Sequence, residues 1–228
     1  MSGNPLNPAT AKMMLRRISL APITALIATL LVAGCEIGNK YDYDDSKGSL
    51  AYSGQGKRIA VAAWDQRPYV LSGNKQPDFV GLQRLRMGIP FDVVTASKQP
   101  LATEMTHSLV LSLAGAGFGA TPVQVTPRNS EGNAVYALLS GKPARAVLLR
   151  VGDWESDTYN NPKVIYDLTL NVYDGAGRKL ASKNLKGSDA LKGQLFNPTE
   201  KAKQIVPDAF KQKIELLLNA PEIAAALR

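Results

Sequence analysis

The side chains with the types and spacing to do chemistry are few. Cys35 is the only cysteine, hence the only thiol nucleophile or soft metal ligand. His107 is the only histidine, which rules out a two-histidine metal site. Asp153, Glu155 and Asp157 alternate around Trp154. On a strand, alternate side chains share a face, so these three carboxylates are placed to hold a cation or to form an acid–base pair. Arg178, Lys179, Lys183 and Lys186, continued by Lys192, make the densest basic stretch. They are a candidate patch for anionic ligands such as lipid phosphates or acidic glycans.

Each group also has a plainer reading. On a helical wheel anchored at Leu101, His107 falls nearly opposite the Met105–Leu109 face and is expected in solvent. Nothing in the sequence assembles a Ser–His–Asp triad around it. The carboxylates precede Thr158-Tyr159-Asn160-Asn161-Pro162, a hairpin connection where acids are ordinarily solvated. Lysines on an edge strand deter edge-to-edge pairing, and this reading of the basic stretch is preferred. Gly115-Ala116-Gly117-Phe118-Gly119 has the look of a dinucleotide loop, but it ends a helix instead of opening one, so it reads as a cap and loop. No catalytic residue and no metal site are expected.

The elements around Cys35 explain it best. Met1 to Arg17 carries Lys12, Arg16 and Arg17 and no acid, and Ile18 to Val32 is apolar apart from Ser19, Thr24 and Thr29. That is the layout of a secretory signal. As a helix, positions 18–32 would span roughly 22 Å, short of the ~30 Å hydrocarbon core, which disfavours a membrane-spanning helix. Small residues Ala33 and Gly34 follow. Val32-Ala33-Gly34-Cys35 resembles the bacterial lipoprotein lipobox, with Val where Leu is commoner. The resemblance implies a diacylglyceryl group on the Cys35 sulfur, cleavage after Gly34 and acylation of the new amine, with no other cofactor. Two or three acyl chains, at about 0.8 kcal/mol per buried CH₂, would hold the protein on a membrane essentially permanently. The alternative for Cys35 is a buried free thiol. Met13 and Met14 are alternative starts to Met1.

The formal charge of the 228-residue chain is +8, and without the three signal cations it is +5. For an exported protein, anionic headgroups, lipopolysaccharide phosphates or acidic wall polymers are the natural counterparts, and nucleic acid is not. Residues 35–57 are expected to be the lipidated cysteine and a flexible tether. Tyr41-Asp42-Tyr43-Asp44-Asp45-Ser46-Lys47-Gly48 is polar and Ser53-Gly54-Gln55-Gly56 is flexible, enough to hold a domain some tens of Å off a membrane. Tyr41 and Tyr43 then read as solvated linker tyrosines.

Periodicity predicts strands over 58–64, 80–86, 89–95 and 122–126, a helix over 100–114 and another over 131–140. A buried-type strand over 145–154 follows, then an alternating strand over 164–173, a turn at Asp174-Gly175-Ala176-Gly177 and a Lys-rich return over 178–186. Asn197-Pro198-Thr199-Glu200 signals a last helix, which Pro207 should kink or restart, and Pro221 begins a tail turn. The expected fold is α+β: a mixed, largely antiparallel sheet with about three helices packed mainly on one face. The expected division is 1–34 signal peptide, 35–57 tether and 58–228 a single periplasmic domain.

The lipobox, the first strand ending in Trp64-Asp65-Gln66-Arg67, the amphipathic helix ending at Gly117 and the long hairpin 164–186 before a helix together resemble the YajG-like family of small bacterial lipoproteins. The resemblance covers most of Lys57 to Leu218 and implies an envelope location with little biochemistry. The element order is also similar to auxiliary lipoproteins of lipid-transport ATPases and to activators of cell-wall synthases. Glu36 follows Cys35 where an inner-membrane retention signal would carry Asp, which points to the outer membrane, facing the periplasm. The function expected is a non-catalytic, membrane-anchored envelope lipoprotein that binds a protein partner or envelope component. The alternatives are an auxiliary lipoprotein of a lipid-transport system and a cell-wall hydrolase.

Overall fold

A computed structural model describes residues 39–43, 46–84, 88–159, 161–191 and 198–228. They belong to one compact unit, Ile37–Arg228. Val32, Ala33, Gly34, Cys35, Lys192 and Asn197 lie outside the described residues. In chain order the elements are β1 (Lys40–Tyr41), β2 (Arg58–Asp65), α1 (Pro68–Leu71), β3 (Phe79–Arg84), β4 (Pro90–Thr95), α2 (Leu101–Gly115), β5 (Gly119–Pro122) and α3 (Glu131–Leu139). They continue with β6 (Arg145–Thr158), β7 (Pro162–Asp174), β8 (Lys179–Ala190), α4 (Pro198–Leu218) and α5 (Pro221–Leu227).

β6 is the spine of the sheet. One edge pairs antiparallel with β7 along its whole length, and β7 in turn pairs with β8. The other edge is shared. Arg145 to Val151 pairs parallel with β2, and Ser156 to Thr158 pairs parallel with β3. β2 leads outward to β5, and β3 leads to β4 and then β1. This makes the centre of the sheet parallel, since β2 has parallel neighbours on both sides. The antiparallel character expected from the 164–186 hairpin holds for β6–β7–β8 and for β3–β4, and the remaining pairings are parallel. The sheet is mixed and the fold is α+β.

β6 also changes phase along its length. Val147, Leu149 and Val151 enter the larger core, and a register shift between Val151 and Asp153 then turns Trp154 to that same side. A bulge inserts one unpaired residue and so swaps the strand's faces. Beyond it, Asp153, Glu155 and Asp157 share the other side of the strand.

The helices lie on both faces, five of them among the described residues, where about three on one face are expected. Leu101, Met105, Leu109 and Leu113 of α2 are fully buried, as their four-residue spacing requires, and pack with α4 and α5 on the larger core. α3 covers the opposite face, where Ala134, Val135 and Leu138 meet Ala60, Ala62, Trp64, Ala146 and Leu148. Alternate residues of β2 thus feed two cores, which is why 58–64 is apolar at both parities. α4 runs through Pro207 as one element, and Pro221 opens a helix where a tail turn is expected.

The expected tether is the largest correction. Tyr41 and Tyr43 are fully buried, and β1 pairs parallel with β4. The Trp154 indole N–H donates to the Tyr43 hydroxyl at 3.1 Å, and Phe210 stands edge-on to both rings. Residues 46–57 then run as a strap between α2 and α4. Gly48 N–H donates to Ser112 Oγ at 2.8 Å, Ser49 N–H to Glu215 Oε1 at 2.9 Å and Ala51 N–H to Asn219 Oδ1 at 2.8 Å. A polar run can be structural when its backbone donors meet side chains from two helices.

The β3–β6 contact needs a glycine. A Cβ on Gly81 would lie 2.0 Å from Ser156 Oγ and 2.4 Å from its carbonyl oxygen. Gly81→Ala should lose about 1–3 kcal/mol in urea unfolding, the range for overpacking. Gly115→Ala, where an added Cβ meets nothing within 4 Å, should lose nothing and gain up to about 1 kcal/mol in helix propensity.

Candidate functional site

The strand–loop junction after β2 builds a concavity lined by α2 and the segment after β5. Asp65 ends β2 and Arg67 lies two residues on, both buried. Asp65 Oδ1 accepts from the Arg67 backbone N–H at 3.1 Å and from its Nε at 2.9 Å, and Oδ2 accepts from Nη2 at 2.7 Å. The rest of the guanidinium donates to the carbonyls of Pro77 and Phe79. Pro68 then fixes the turn into α1, whose Tyr69 ring faces the guanidinium at 5.5 Å. This fork ties the end of β2 to the loop entering β3. A charged pair taken out of water is stable only when its lone pairs and N–H groups are matched in this way.

Above the fork lies a groove of about 440 Å³, within the usual size of small-ligand sites, roughly 300–1,000 Å³. Ala63 and Asp65 form its floor. Ala102 and Val110 of α2 form one wall, and Val123 and Val125, just past β5, form the other. The polar groups near the floor are occupied. The Thr106 hydroxyl donates to Ala102 O at 2.7 Å and accepts from Ala63 N–H at 2.8 Å. His107 stands exposed at the rim, as its helical phase predicts. Chemically the arrangement is suited to receive an apolar group, with Thr103, His107 and Gln124 at the mouth to orient it.

The structure disperses the other candidate residues. All four described cations of the basic stretch meet acids. Arg178 pairs with Asp174 at 3.1 Å, Lys179 with Glu131 at 2.8 Å, Lys183 with Glu222 at 3.3 Å and Lys186 with Asp167 at 3.1 Å. Two of these pairs fasten the edge strand β8 to helices on opposite faces. An anionic ligand would have to compete with the protein's own carboxylates there. The Lys179 ammonium and the Tyr173 hydroxyl hold the Glu131 carboxyl below its ordinary range.

The three carboxylates of β6 do share a side of the strand, but their partners divide them. Asp153 accepts from the Tyr69 hydroxyl at 3.0 Å, and Asp157 accepts from Arg84 at 3.0 Å with Lys163 at 3.7 Å. Glu155 sits between them. Burial raises its pKa, and the charges of Asp153 and Asp157 add to that. Among the described residues no three His, Cys, Asp or Glu side chains group to hold a metal. The Gly115–Gly119 run ends α2, with Gly117 at φ +82°, where a helix end calls for glycine.

No family model matches the chain, and no curated protein matches it. Solved structures do. A Xanthomonas campestris protein, XCC0632, described with the family model DUF330, is 14% identical, with 82% of this chain and 93% of that one covered at TM-score 0.49. The PelC dodecamer of Paraburkholderia phytofirmans is 11% identical, covers 75% and 91%, and has TM-score 0.42. Lipoprotein GNA1162 of Neisseria meningitidis is 10% identical, covers 68% and 99%, and has TM-score 0.27.

Removing one half of the fork strands a buried charge. Arg67→Met should therefore lose about 3–5 kcal/mol in chemical denaturation, while the double change Asp65→Leu with Arg67→Met recovers part of it. The β6 carboxylates give a pH test. Because the folded pKa of Glu155 is raised, its ionised form costs stability above the folded pKa and nothing below the unfolded one. Glu155→Gln should raise Tm at pH 7, with the gain vanishing by pH 3.

Proposed function

We propose that this chain is a non-catalytic, membrane-anchored bacterial envelope lipoprotein that binds a protein partner or envelope component. The observation that carries the reading is Val32-Ala33-Gly34-Cys35 at the end of an apolar run too short to span a bilayer, behind a cationic start. In it Cys35 carries the lipid, and the domain faces the periplasm from the outer membrane, as Glu36 after Cys35 suggests. In this reading the element order, similar to that of the YajG-like lipoproteins, belongs to an envelope domain. Among the described residues no helix is long and apolar enough to cross a membrane.

The groove over the Asp65–Arg67 fork supplies the binding element. Its apolar walls accept side chains, while the hydrogen-bonding capacity of Thr106 and Asp65 is committed to the protein's own backbone and to Arg67. That commitment supports binding over catalysis. A second reading is favoured by the same apolar walls: an auxiliary role in lipid transport, with an acyl chain in the groove.

Intact mass and cell fractionation test the anchor. The mature protein should begin at Cys35 with diacylglyceryl and acyl groups and sit in the membrane fraction, and Cys35→Ser should lose both. A wild-type protein that keeps residues 1–34 and a bare thiol would overturn the reading. A photo-crosslinker at His107 should capture a protein, while phospholipid co-purifying with the wild type and lost in Val110→Glu would favour the lipid-transport reading.

A further inference from the structure

β8 closes one side of the sheet. Among the described residues only β7 pairs with it, and its 12 residues carry no proline. The Leu191 N–H donates to Pro162 O at 2.8 Å, and the pairing holds one register from Lys163 opposite Ala190 to Val172 opposite Ala181. In an antiparallel ladder every second residue bonds inward, so the N–H and C=O groups of Ser182, Asn184, Lys186, Ser188 and Ala190 point outward along the open edge. The register shift lies before this run, beside Tyr173. The lysines expected to guard the edge are drawn off it: Lys179 to Glu131 on α3, Lys183 to Glu222 on α5 and Lys186 to Asp167 on β7. An edge that is long, regular and free of proline is a template for another strand.

Beside that edge lies a groove of about 730 Å³, with Lys183 and Leu185 of β8 on one side and α4 with the start of α5 on the other. Leu216 stands in it at 57% exposure. Lys183, Glu215 and Asn219 are engaged elsewhere: Lys183 with Glu222, Glu215 with the Ser49 N–H and Asn219 with the Ala51 N–H. Leu185, Leu216 and Pro221 are left to meet a newcomer. The side chains of an added strand alternate between its two sides. One set falls over the groove, and the other lies beside the exposed Ser182, Asn184 and Lys186.

We infer that β8 receives an extended segment of a partner protein as an additional strand, with apolar residues at alternate positions entering the groove and polar ones between them. Backbone groups at strand spacing are what the edge lacks, and a polypeptide supplies them in that order. A second copy of this chain is a poor occupant. Joined edge to edge about a two-fold axis, its β8 would turn Lys183, Leu185, Gly187 and Asp189 to the groove, with one large apolar side chain among them. The surface is separate from the groove over the Asp65–Arg67 fork and needs nothing of Cys35, so it stands or falls apart from the function proposed above.

The test uses the full chain and an array of nonapeptides with Val, Ile, Leu, Phe or Tyr at alternate positions and Ser, Thr, Lys or Glu between them. The tightest binder should slow amide exchange at Asn184, Lys186 and Ser188 by about tenfold or more. N-methylation of its alternate residues in one frame should abolish binding, and in the other frame leave it, since one edge of a strand faces β8. Ser188→Pro takes away an outward donor and no ladder bond, and Leu216→Asp changes an exposed residue. Both variants should keep the wild-type near-ultraviolet circular dichroism and weaken binding by about tenfold or more. No binder in the array, binding without protection of those amides, or equal effects of the two methylation frames overturns the inference. So does protection of the same amides in peptide-free protein that sediments as a dimer, which assigns the edge to a second copy.

Discussion

The hydrogen bond from the Trp154 indole to the Tyr43 hydroxyl, with Phe210 edge-on to both rings, joins three stretches far apart in sequence. Tyr43 belongs to the polar run that opens at Tyr41, Trp154 to the spine strand and Phe210 to α4. Edge-to-face pairs contribute about 0.5–1.5 kcal/mol each beyond the area they bury. The indole N–H and the phenol oxygen also satisfy each other in a fully buried site.

From that junction the structure builds in both directions. Toward the C-terminus, α4 is further held by Lys213, whose ammonium pairs with Asp189 and faces the Tyr166 ring at 4.2 Å. Toward the N-terminus, the strap 46–57 closes over α2 and reaches the end of α4, where Tyr52 donates to Leu218 O at 2.8 Å. α2 is thus gripped on two sides, by the sheet through its leucines and by the strap through Ser108 and Ser112. A helix so fixed makes a rigid wall for the groove, and the Asp65–Arg67 fork makes a rigid floor. A preformed apolar recess binds without first ordering its own walls, which favours a binding role.

Much of this was legible in the residues. The two-residue period of 164–173, the turn at Asp174–Gly177 and the four-residue stripe of α2 all report local geometry, and the structure has them. What was not legible depends on partners distant in the chain. Tyr41 and Tyr43 sit among acids and glycines and carry no periodicity, so only the cores made by β4, β6 and α4 reveal their burial. Asp65 and Arg67 look like a strand terminator until the carbonyls of Pro77 and Phe79 arrive. The basic stretch could be read as a candidate patch as well as edge protection because Glu131, Asp167 and Glu222, which neutralise it, come from other elements. The phase change at Gly152 likewise made 145–154 look like the whole strand, although pairing continues to Thr158.

The account turns on whether residues 39–57 belong to the fold and not to a flexible tether. Amide hydrogen exchange on the full chain measures it directly, because protection reports the free energy of opening. The account predicts that Gly48, Ala51, Gly54 and Gly56, whose N–H groups are bonded to Ser112, Asn219, Ala116 and Gly117, exchange orders of magnitude more slowly than an unstructured chain. Exchange of those four amides at the rate of a free peptide would contradict it.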